Sequence, residues 1–184
     1  MNPVERASIL DYITYEERRE AIRSEVLAIK ARRRVHVGGV LTFLFENTAT
    51  ARYQVQEMVR IERIVREADI LHELETYNEL LGGAGELGCT LMIELDDPAE
   101  RAIKLREWLA LPRHIYARLE DGSKVYACFD GRQVGDERLS SVHYIKFPVG
   151  GRVPVAIGAD HPGLVVEARL EPAQRAALAA DLAS

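Results

Sequence analysis

Cysteine is scarce in this chain, which has two cysteines in 184 residues. Cys89 and Cys128 lie far apart in the sequence, and both fall inside predicted strands. Two distant cysteines in strands are typical of small buried thiols. We therefore expect neither a disulfide framework nor a redox pair.

Long apolar runs and a targeting signal are also absent. No apolar run approaches the ~20 residues that a membrane-spanning helix needs. The N-terminal segment lacks the basic and apolar regions of a signal peptide. These absences predict a cytoplasmic protein with no membrane partner.

The chain has no excess of positive charge. Its net charge is −5 and its isoelectric point is about 5.6, which argues against nucleic acid or an anionic membrane as a partner. The one basic run, from Lys30 to Arg34, lies at the end of a predicted helix that stops near Arg33. We interpret it as a solvated helix end rather than a phosphate site.

Familiar catalytic and nucleotide-binding motifs are missing as well. The sequence contains no P-loop, HExxH, CxxC or GxSxG pattern. The segment Gly83–Gly88 matches GxGxxG, but it follows a predicted helix and precedes a predicted strand. A dinucleotide site requires the opposite order, because the pyrophosphate must meet a helix N-terminus. This segment is better interpreted as a flexible connection.

What the chain does contain is a mixture of helices and strands, and its first half carries the helices. Thr14 and Glu17 form a capping-box pattern that starts an N-terminal helix. The apolar strand Val40–Phe45 then leads into the longest helical pattern, which runs from an N-cap at Asn47 or Thr48 to about residue 78. Such a helix would be on the order of 45 Å long, so a kink or break is expected.

The second half is predicted to be mostly strand. The predicted elements are strand Cys89–Leu95, helix Ala99–Leu109, a hairpin of Arg113–Leu119 and Lys124–Phe129 around Asp121–Gly122, strands Val142–Phe147, Val153–Ile157 and Leu164–Leu170, and a terminal helix to Leu182. A turn is predicted at Asp160–Gly163. The fold class is α+β: an N-terminal helix and one long helix packed on a mainly antiparallel β-sheet or partly closed barrel. No linker or repeat divides the chain, so residues 1–184 form one domain.

The long helix carries polar residues where a core-facing stripe is expected. Projection at ~100° per residue places Gln54, Glu57, His72 and Glu75 on the apolar face. That face is formed by Met58, Ile61, Ile64, Val65, Ala68 and Leu71. A buried carboxylate is costly unless it is paired. Glu57 is thus either satisfied by an arginine or by backbone N–H groups, or it serves as a metal ligand or general acid/base.

The histidines give weaker indications. Asp69, His72 and Glu75 share the acid–histidine spacing of di-iron helical bundles, but those bundles need a second such helix, so a surface patch is favoured. Ser141 and His143 lack an identifiable acidic partner for a hydrolase triad. His161 is interpreted as a turn histidine, more structural than functional. Glu94 ends a strand and faces either the long helix or water.

Taken together, the chain resembles a bacterial family catalogued as domain of unknown function 3501. The segments that carry the resemblance are Tyr15–Arg19, Lys30–Val35, Phe45–Asn47, Thr50, Gln54–Met58, Ile61–Ile64, Glu75–Leu80, Thr90–Glu94, Val142–Ile145 and Asp160–Pro162. Where such proteins have a proline after the Tyr-Asn segment, this chain has Leu81 and then Gly82–Gly83. The resemblance implies an association with rubrerythrin-like and iron–sulfur oxidoreductase proteins, and hence a redox or oxidative-stress role.

Three hypotheses follow. In the first, the protein is an accessory of a non-haem-iron redox system and binds a divalent metal (iron, manganese or zinc). Its ligands would then be Glu46, Glu57, Glu94 and His72 or His161, oriented by Asn47 and Gln54. In the second, it is a non-enzymatic homodimeric interaction module whose long helix supplies the interface. In the third, it is a small-molecule enzyme with Glu57 as general base.

Overall fold

The computed structural model describes residues 1–131, 135 and 137–184. The helices are α1 (Tyr12–Ala31), α2 (Thr48–Ile61), α3 (Glu67–Asn78), α4 (Pro98–Glu107) and α5 (Pro172–Leu182). The strands are β1 (Arg34–Val37), β2 (Leu41–Phe45), β3 (Leu87–Ile93), β4 (Ile115–Arg118), β5 (Lys124–Tyr126), β6 (Cys128–Phe129), β7 (Val142–Phe147), β8 (Ala156–His161) and β9 (Leu164–Arg169). Short 3-10 helices cover Arg6–Ser8 and Leu111–His114.

The strands of the described residues form two antiparallel sheets. The first has the order β1-β2-β3-β7-β6 and the second the order β5-β4-β8-β9. Apolar side chains from both sheets meet in one core, for example Phe43 and Leu91 from the first and Ile115 and Ile157 from the second. The predicted α+β class with antiparallel pairing is confirmed, and the sheets formed by the described residues do not close into a barrel.

The predicted strand Lys124–Phe129 is wrong as a single element. Its first part, β5, pairs with β4 in the expected hairpin, whereas β6 pairs with β7 in the other sheet. The chain thus changes sheets at Ala127, between the two short strands. The strand predicted from Val153 begins at Ala156 instead, and it extends through His161 into the predicted turn.

Helix α1 begins earlier than predicted. Asp11, not Thr14, is the N-cap, and its carboxylate accepts the backbone N–H groups of Ile13 and Thr14. The Thr14 hydroxyl donates to the same carboxylate at 2.6 Å. The capping-box prediction is therefore wrong here, since aspartate three residues earlier already satisfies the first N–H groups. The Asn47 cap of α2 is confirmed, and Asn47 accepts the Thr50 N–H.

The expected break in the long helix is confirmed. Helix α2 ends at Ile61, Arg63 adopts a left-handed backbone (φ 51°), and α3 starts at Glu67. Helix α3 packs on α2, and its buried residues Ile70 and Leu74 share an apolar cluster with α2 residues such as Val55.

The single-helix projection is wrong about which residues face the core. Ile61, Val65 and Leu71 are 62%, 73% and 48% exposed. The projection assumed one helix axis, and the break gives α3 its own axis and its own buried face.

Two further sequence interpretations concern glycine and cysteine. A Cβ atom on Gly88 would lie 1.9 Å from the Leu80 carbonyl oxygen, so the glycine-rich segment permits a close backbone approach after α3. This close approach agrees with the predicted connection between α3 and β3.

Cys89 is buried as predicted, whereas Cys128 lies exposed on the edge strand β6, and both thiols are free. Among the described residues, no helix is both long and apolar enough to cross a membrane.

Candidate functional site

The turn from β2 into α2 carries a fully buried carboxylate. Glu46 is 1% exposed, and its two oxygens accept the hydroxyl protons of Thr50 and Thr90, the latter at 2.6 Å. Within the described part of the chain it has no arginine, lysine or histidine within ion-pair distance. Two neutral hydroxyls thus bind this carboxylate, whereas arginines bind the buried Asp181 and the half-buried Glu57.

The Glu46 carboxylate also influences two neighbouring groups. Burial lowers the pKa of Lys30, and the charge of Glu46 opposes that shift. Burial raises the pKa of the Cys89 thiol, and Glu46 raises it further. Both effects favour a protonated thiol at Cys89, which is therefore a poor nucleophile or metal ligand.

A buried ion pair lies beside this turn. Arg33 donates through Nε and Nη2 to the two oxygens of Asp181, each at 2.8 Å. Asn47, besides capping α2, donates to Asp181 at 3.3 Å. Arg33 is only 7% exposed, so the interpretation of the whole basic run as solvated is wrong at this residue. The sequence offers no local signal for the pair, because the partners are 148 residues apart.

Glu57 is bound by three side chains. It accepts from the Tyr15 hydroxyl at 2.6 Å, from Arg19 at 2.8 and 3.1 Å, and from Arg60 at 3.3 Å. Burial alone would raise the pKa of Glu57, but the hydrogen bonds from Arg19 and Tyr15 outweigh it and lower the pKa. This is the arginine-satisfied arrangement that the sequence left as one of its alternatives.

Of the two glutamines in α2, the buried and hydrogen-bonded one is not the one that was predicted. Gln54 is half-buried and its side chain makes no hydrogen bond with the described residues, so it does not orient Glu57. Gln56 is the buried one: its amide both accepts from the N–H and donates to the C=O of Leu10, each at 2.9 Å. Gln56 thereby holds the N-terminal segment against α2.

Glu94 faces water and belongs to a chain of three polar side chains. The Thr42 hydroxyl donates to Glu94 at 2.6 Å, and His36 Nδ1 lies 2.7 Å from the same hydroxyl oxygen. Because the hydroxyl proton goes to Glu94, His36 Nδ1 must carry a proton and donate to Thr42. His36 and Thr42 were not predicted as site residues. The antiparallel register of β1 and β2, which the structure shows, places them side by side.

The remaining histidines lie elsewhere. His72 is exposed on α3, where Asp69 pairs with Arg66 at 3.4 Å. In the second sheet, His161 Nδ1 accepts the backbone N–H of Gly163 at 3.0 Å, as expected of a turn histidine. His143 is buried and donates to the Ser140 carbonyl at 2.8 Å, and burial lowers its pKa.

The structure therefore does not bring the candidate metal ligands together. Glu46, Glu57 and Glu94 each belong to a separate hydrogen-bond network, and the two candidate histidines belong to none of the three. Over residues 1–131, 135 and 137–184, no group of three or more histidine, cysteine or acidic side chains could hold a metal ion.

A polar network that sequence reasoning missed covers the outer face of the second sheet. Asp160 accepts from Lys124 at 2.7 Å and from the Tyr126 hydroxyl at 2.8 Å, and His114 lies at 3.2 Å. The Lys124 hydrogen bond, with those of the other two, lowers the pKa of Asp160 to about 2. Beside it, Glu167 accepts from Tyr116 and Arg118. Each carboxylate thus has at least two side-chain donors from neighbouring elements.

A pocket of about 460 Å³ opens between the end of α3 and strands β6 and β7. Aromatic side chains of Tyr77, Phe129 and Tyr144 line it, together with Lys146 and the exposed thiol of Cys128. The sequence gives no signal for this pocket, because its two sides are about 50 residues or more apart.

Comparison with known proteins gives a family and a fold. The sequence model of a family described as "Protein of unknown function (DUF3501)" matches residues 3–182. A crystal structure of a protein of unknown function from Burkholderia pseudomallei K96243 is 34% identical, with a TM-score of 0.90, and the alignment covers 98% of this chain and 100% of that one. A search of curated proteins found no match. The resemblance inferred from the sequence segments is thereby confirmed.

Proposed function

We propose that this chain, which belongs to the DUF3501 family of proteins of unknown function, is a non-enzymatic interaction module. In this proposal it works as a homodimer and as an accessory of a non-haem-iron redox system. The observation that carries the proposal is a set of exposed apolar side chains on the helical half of the chain, Ile13, Ile61, Val65 and Leu71, which we call the helical patch. These side chains are 59%, 62%, 73% and 48% exposed.

The residues of the helical patch lie at the start of α1, at the end of α2, in the connection from α2 to α3 and in α3. Two surface grooves meet there, one containing Tyr12 and Ile13 and the other containing Val65, and Arg63 lines both. Single exposed apolar residues are ordinary, but a cluster rimmed by polar residues marks interaction surfaces. The sequence hypothesis that the long helix supplies an interface is supported by these exposures.

The rim of the helical patch carries charges of both signs. Arg60 pairs with Glu57 and Arg66 with Asp69 within the subunit, whereas Arg63 and Glu62 are exposed and make no ion pair with the described residues. A two-fold dimer brings the same surface of both subunits together, so Arg63 of one subunit can meet Glu62 of the other. A surface of mixed sign is suited to that self-complementary contact.

The geometry gives no comparable support to an enzyme. A general base needs a pKa near the working pH and a free acceptor position. Glu57 has a lowered pKa and is engaged by three donor side chains.

The redox and metal parts of the proposal depend on the family resemblance. The partners in question are rubrerythrin-like or iron–sulfur oxidoreductase proteins, and the metal would be iron, manganese or zinc. The sequence proposed Glu46, Glu57, Glu94, His72 and His161 as ligands, with Asn47 and Gln54 to orient them, but the described residues do not gather these side chains into one site. Elemental analysis of protein purified without an affinity tag tests this part. A metal content near zero that Glu57→Gln and Glu94→Gln leave unchanged would overturn it.

The homodimer is tested by light scattering over a range of concentrations. We expect a dimer that Ile61→Asp and Val65→Asp convert to a monomer without lowering the melting temperature. Val165→Asp is the matched control, since Val165 is 74% exposed but lies on β9. A strict monomer at high concentration, or equal effects of Val65→Asp and Val165→Asp, would contradict the proposal.

A further inference from the structure

The pocket between α3 and the first sheet has the dimensions of a small-molecule site. Its volume of about 460 Å³ falls within the range of roughly 300–1,000 Å³ that is usual for ligand pockets. It is separate from the helical patch, and nothing in the proposed dimer uses it. Its residues therefore allow an independent inference.

The interior of the pocket is largely aromatic. Tyr77 comes from the last turn of α3, Phe129 from β6 and Tyr144 from β7. Burial raises the pKa of Tyr77, so its hydroxyl stays protonated at neutral pH. Phe129 pairs with Ile145 and packs toward the core, so the rings of Tyr77 and Tyr144 provide the apolar surface for an aliphatic or aromatic group.

Both sides of the pocket carry charged side chains. On the strand side, Lys146 lies opposite Cys128 in the strand register and makes no ion pair with any residue that the structure describes, and Asp130, which follows β6, also lines this side. On the helix side, Glu79 is the C-cap of α3. Its carboxylate has no hydrogen bond from the described residues. The C-terminal end of a helix carries partial negative charge, which adds to that of Glu79.

We propose that this pocket binds a free α-amino acid with an apolar side chain. The ligand carboxylate pairs with Lys146, its ammonium group lies toward Glu79 and the end of α3, and its side chain packs among the aromatic rings. A ligand with only one of the two charges leaves the opposite side of the pocket unpaired. The proposal thus requires both charged groups on one small molecule.

Isothermal titration of the full chain with L-phenylalanine, L-leucine and L-methionine tests the proposal. N-acetyl-L-phenylalanine lacks the ammonium group and phenethylamine lacks the carboxylate. We expect each of these to bind roughly tenfold more weakly than phenylalanine. If no apolar amino acid binds at millimolar concentration, or if phenethylamine binds as tightly as phenylalanine, the proposal is wrong.

Variants identify the two charged contacts. In Lys146→Met, phenylalanine and phenethylamine should bind equally, and in Glu79→Gln, phenylalanine and its N-acetyl derivative should bind equally. Lys104→Met is the control, because Lys104 pairs with Glu107 on helix α4, outside the pocket. Unchanged discrimination in both pocket variants would overturn the assignment.

Alkylation of the wild-type protein can show whether the ligand binds in this pocket. Iodoacetamide should alkylate the exposed Cys128, while the buried Cys89 serves as the unreactive internal control. Saturating phenylalanine should slow alkylation of Cys128 at least several-fold. Binding without such protection would place the ligand elsewhere and contradict the proposal.

Discussion

Three arginine–carboxylate pairs in this protein have nearly the same geometry and very different surroundings. Arg33–Asp181, Arg19–Glu57 and Arg6–Glu67 each use Nε and Nη2 on two carboxylate oxygens, with Nε distances of 2.8 Å. The exposed fractions of the two side chains are 9% and 8% in the first, 26% and 16% in the second, and 38% and 60% in the third.

Three ion pairs with the same hydrogen-bond geometry should therefore contribute different free energies to stability. Water competes with an exposed pair and screens it, so such a pair contributes little to stability. A buried pair is costly to assemble, and removal of one partner leaves an uncompensated charge in the core. Stability effects should therefore follow exposure, not hydrogen-bond length.

The largest effect is expected from Arg33→Met. Loss of the guanidinium leaves Asp181 buried without its partner, which should lower the free energy of unfolding by about 3–5 kcal/mol in a urea titration. The double variant Arg33→Met/Asp181→Leu should regain most of that loss, since neither charge remains. Arg34→Met, at an exposed neighbouring position, is the control. If Arg33→Met lowered the free energy of unfolding less than Arg34→Met does, the ranking of the pairs by burial would be wrong.

The next effect tests the carboxylate that has hydroxyls instead of an arginine. Thr90→Val keeps the side-chain shape and removes one of the two donors to Glu46. We expect a loss of about 1–3 kcal/mol, because a buried acceptor is left unsatisfied. Thr76→Val is the matched control, since that hydroxyl donates to a backbone carbonyl at an exposed position. Equal melting temperatures for the two variants would contradict this expectation.

A smaller, pH-dependent effect is expected at the half-buried pair. Glu57→Gln should lower the unfolding free energy by about 1 kcal/mol at pH 7. The folded pKa of Glu57 is lowered. Its contribution is therefore present above the unfolded carboxyl value of about 4.3 and is lost as the pH falls through the folded value.

The difference between wild type and Glu57→Gln should accordingly shrink as the pH drops below about 4. Denaturant titrations from pH 3 to 7 would measure it. Glu25→Gln, at an exposed position of α1, should show no such trend. A difference that grew toward low pH would mean that Glu57 is not the stabilising carboxylate described here.

The smallest effect is expected at the surface. Arg6→Gln should change the unfolding free energy by about 0.2–1 kcal/mol, and the change should disappear in 1 M salt. Thermal melts at low and high salt provide the measurement. If Arg6→Gln matched Arg33→Met, burial would not be the property that ranks these pairs.

Much of the fold was predictable because its signals are local. The Asn47 cap, the turn at Asp121–Gly122 and the break after α2 depend on residues within a few positions of one another, and all three are confirmed. The predictions that were wrong needed information from distant residues. Nothing near Lys124–Phe129 indicates that its two halves join different sheets.

The candidate site was predictable only in part. The sequence identified Glu46, Glu57 and Glu94 as polar residues in unusual positions, and each does make specific hydrogen bonds. It did not identify their partners Tyr15, Thr42 and Thr90, because a donor is chosen by spatial approach and not by spacing along the chain.

By itself, the sequence determined the family, the α+β class and the order of most elements, since composition, periodicity and capping act over short distances. Only the tertiary structure decided which face of each helix is buried, which carboxylates have partners and where the aromatic pocket lies. The reason is physical. Burial and pairing depend on elements that meet across more than 100 residues, as Arg33 and Asp181 do.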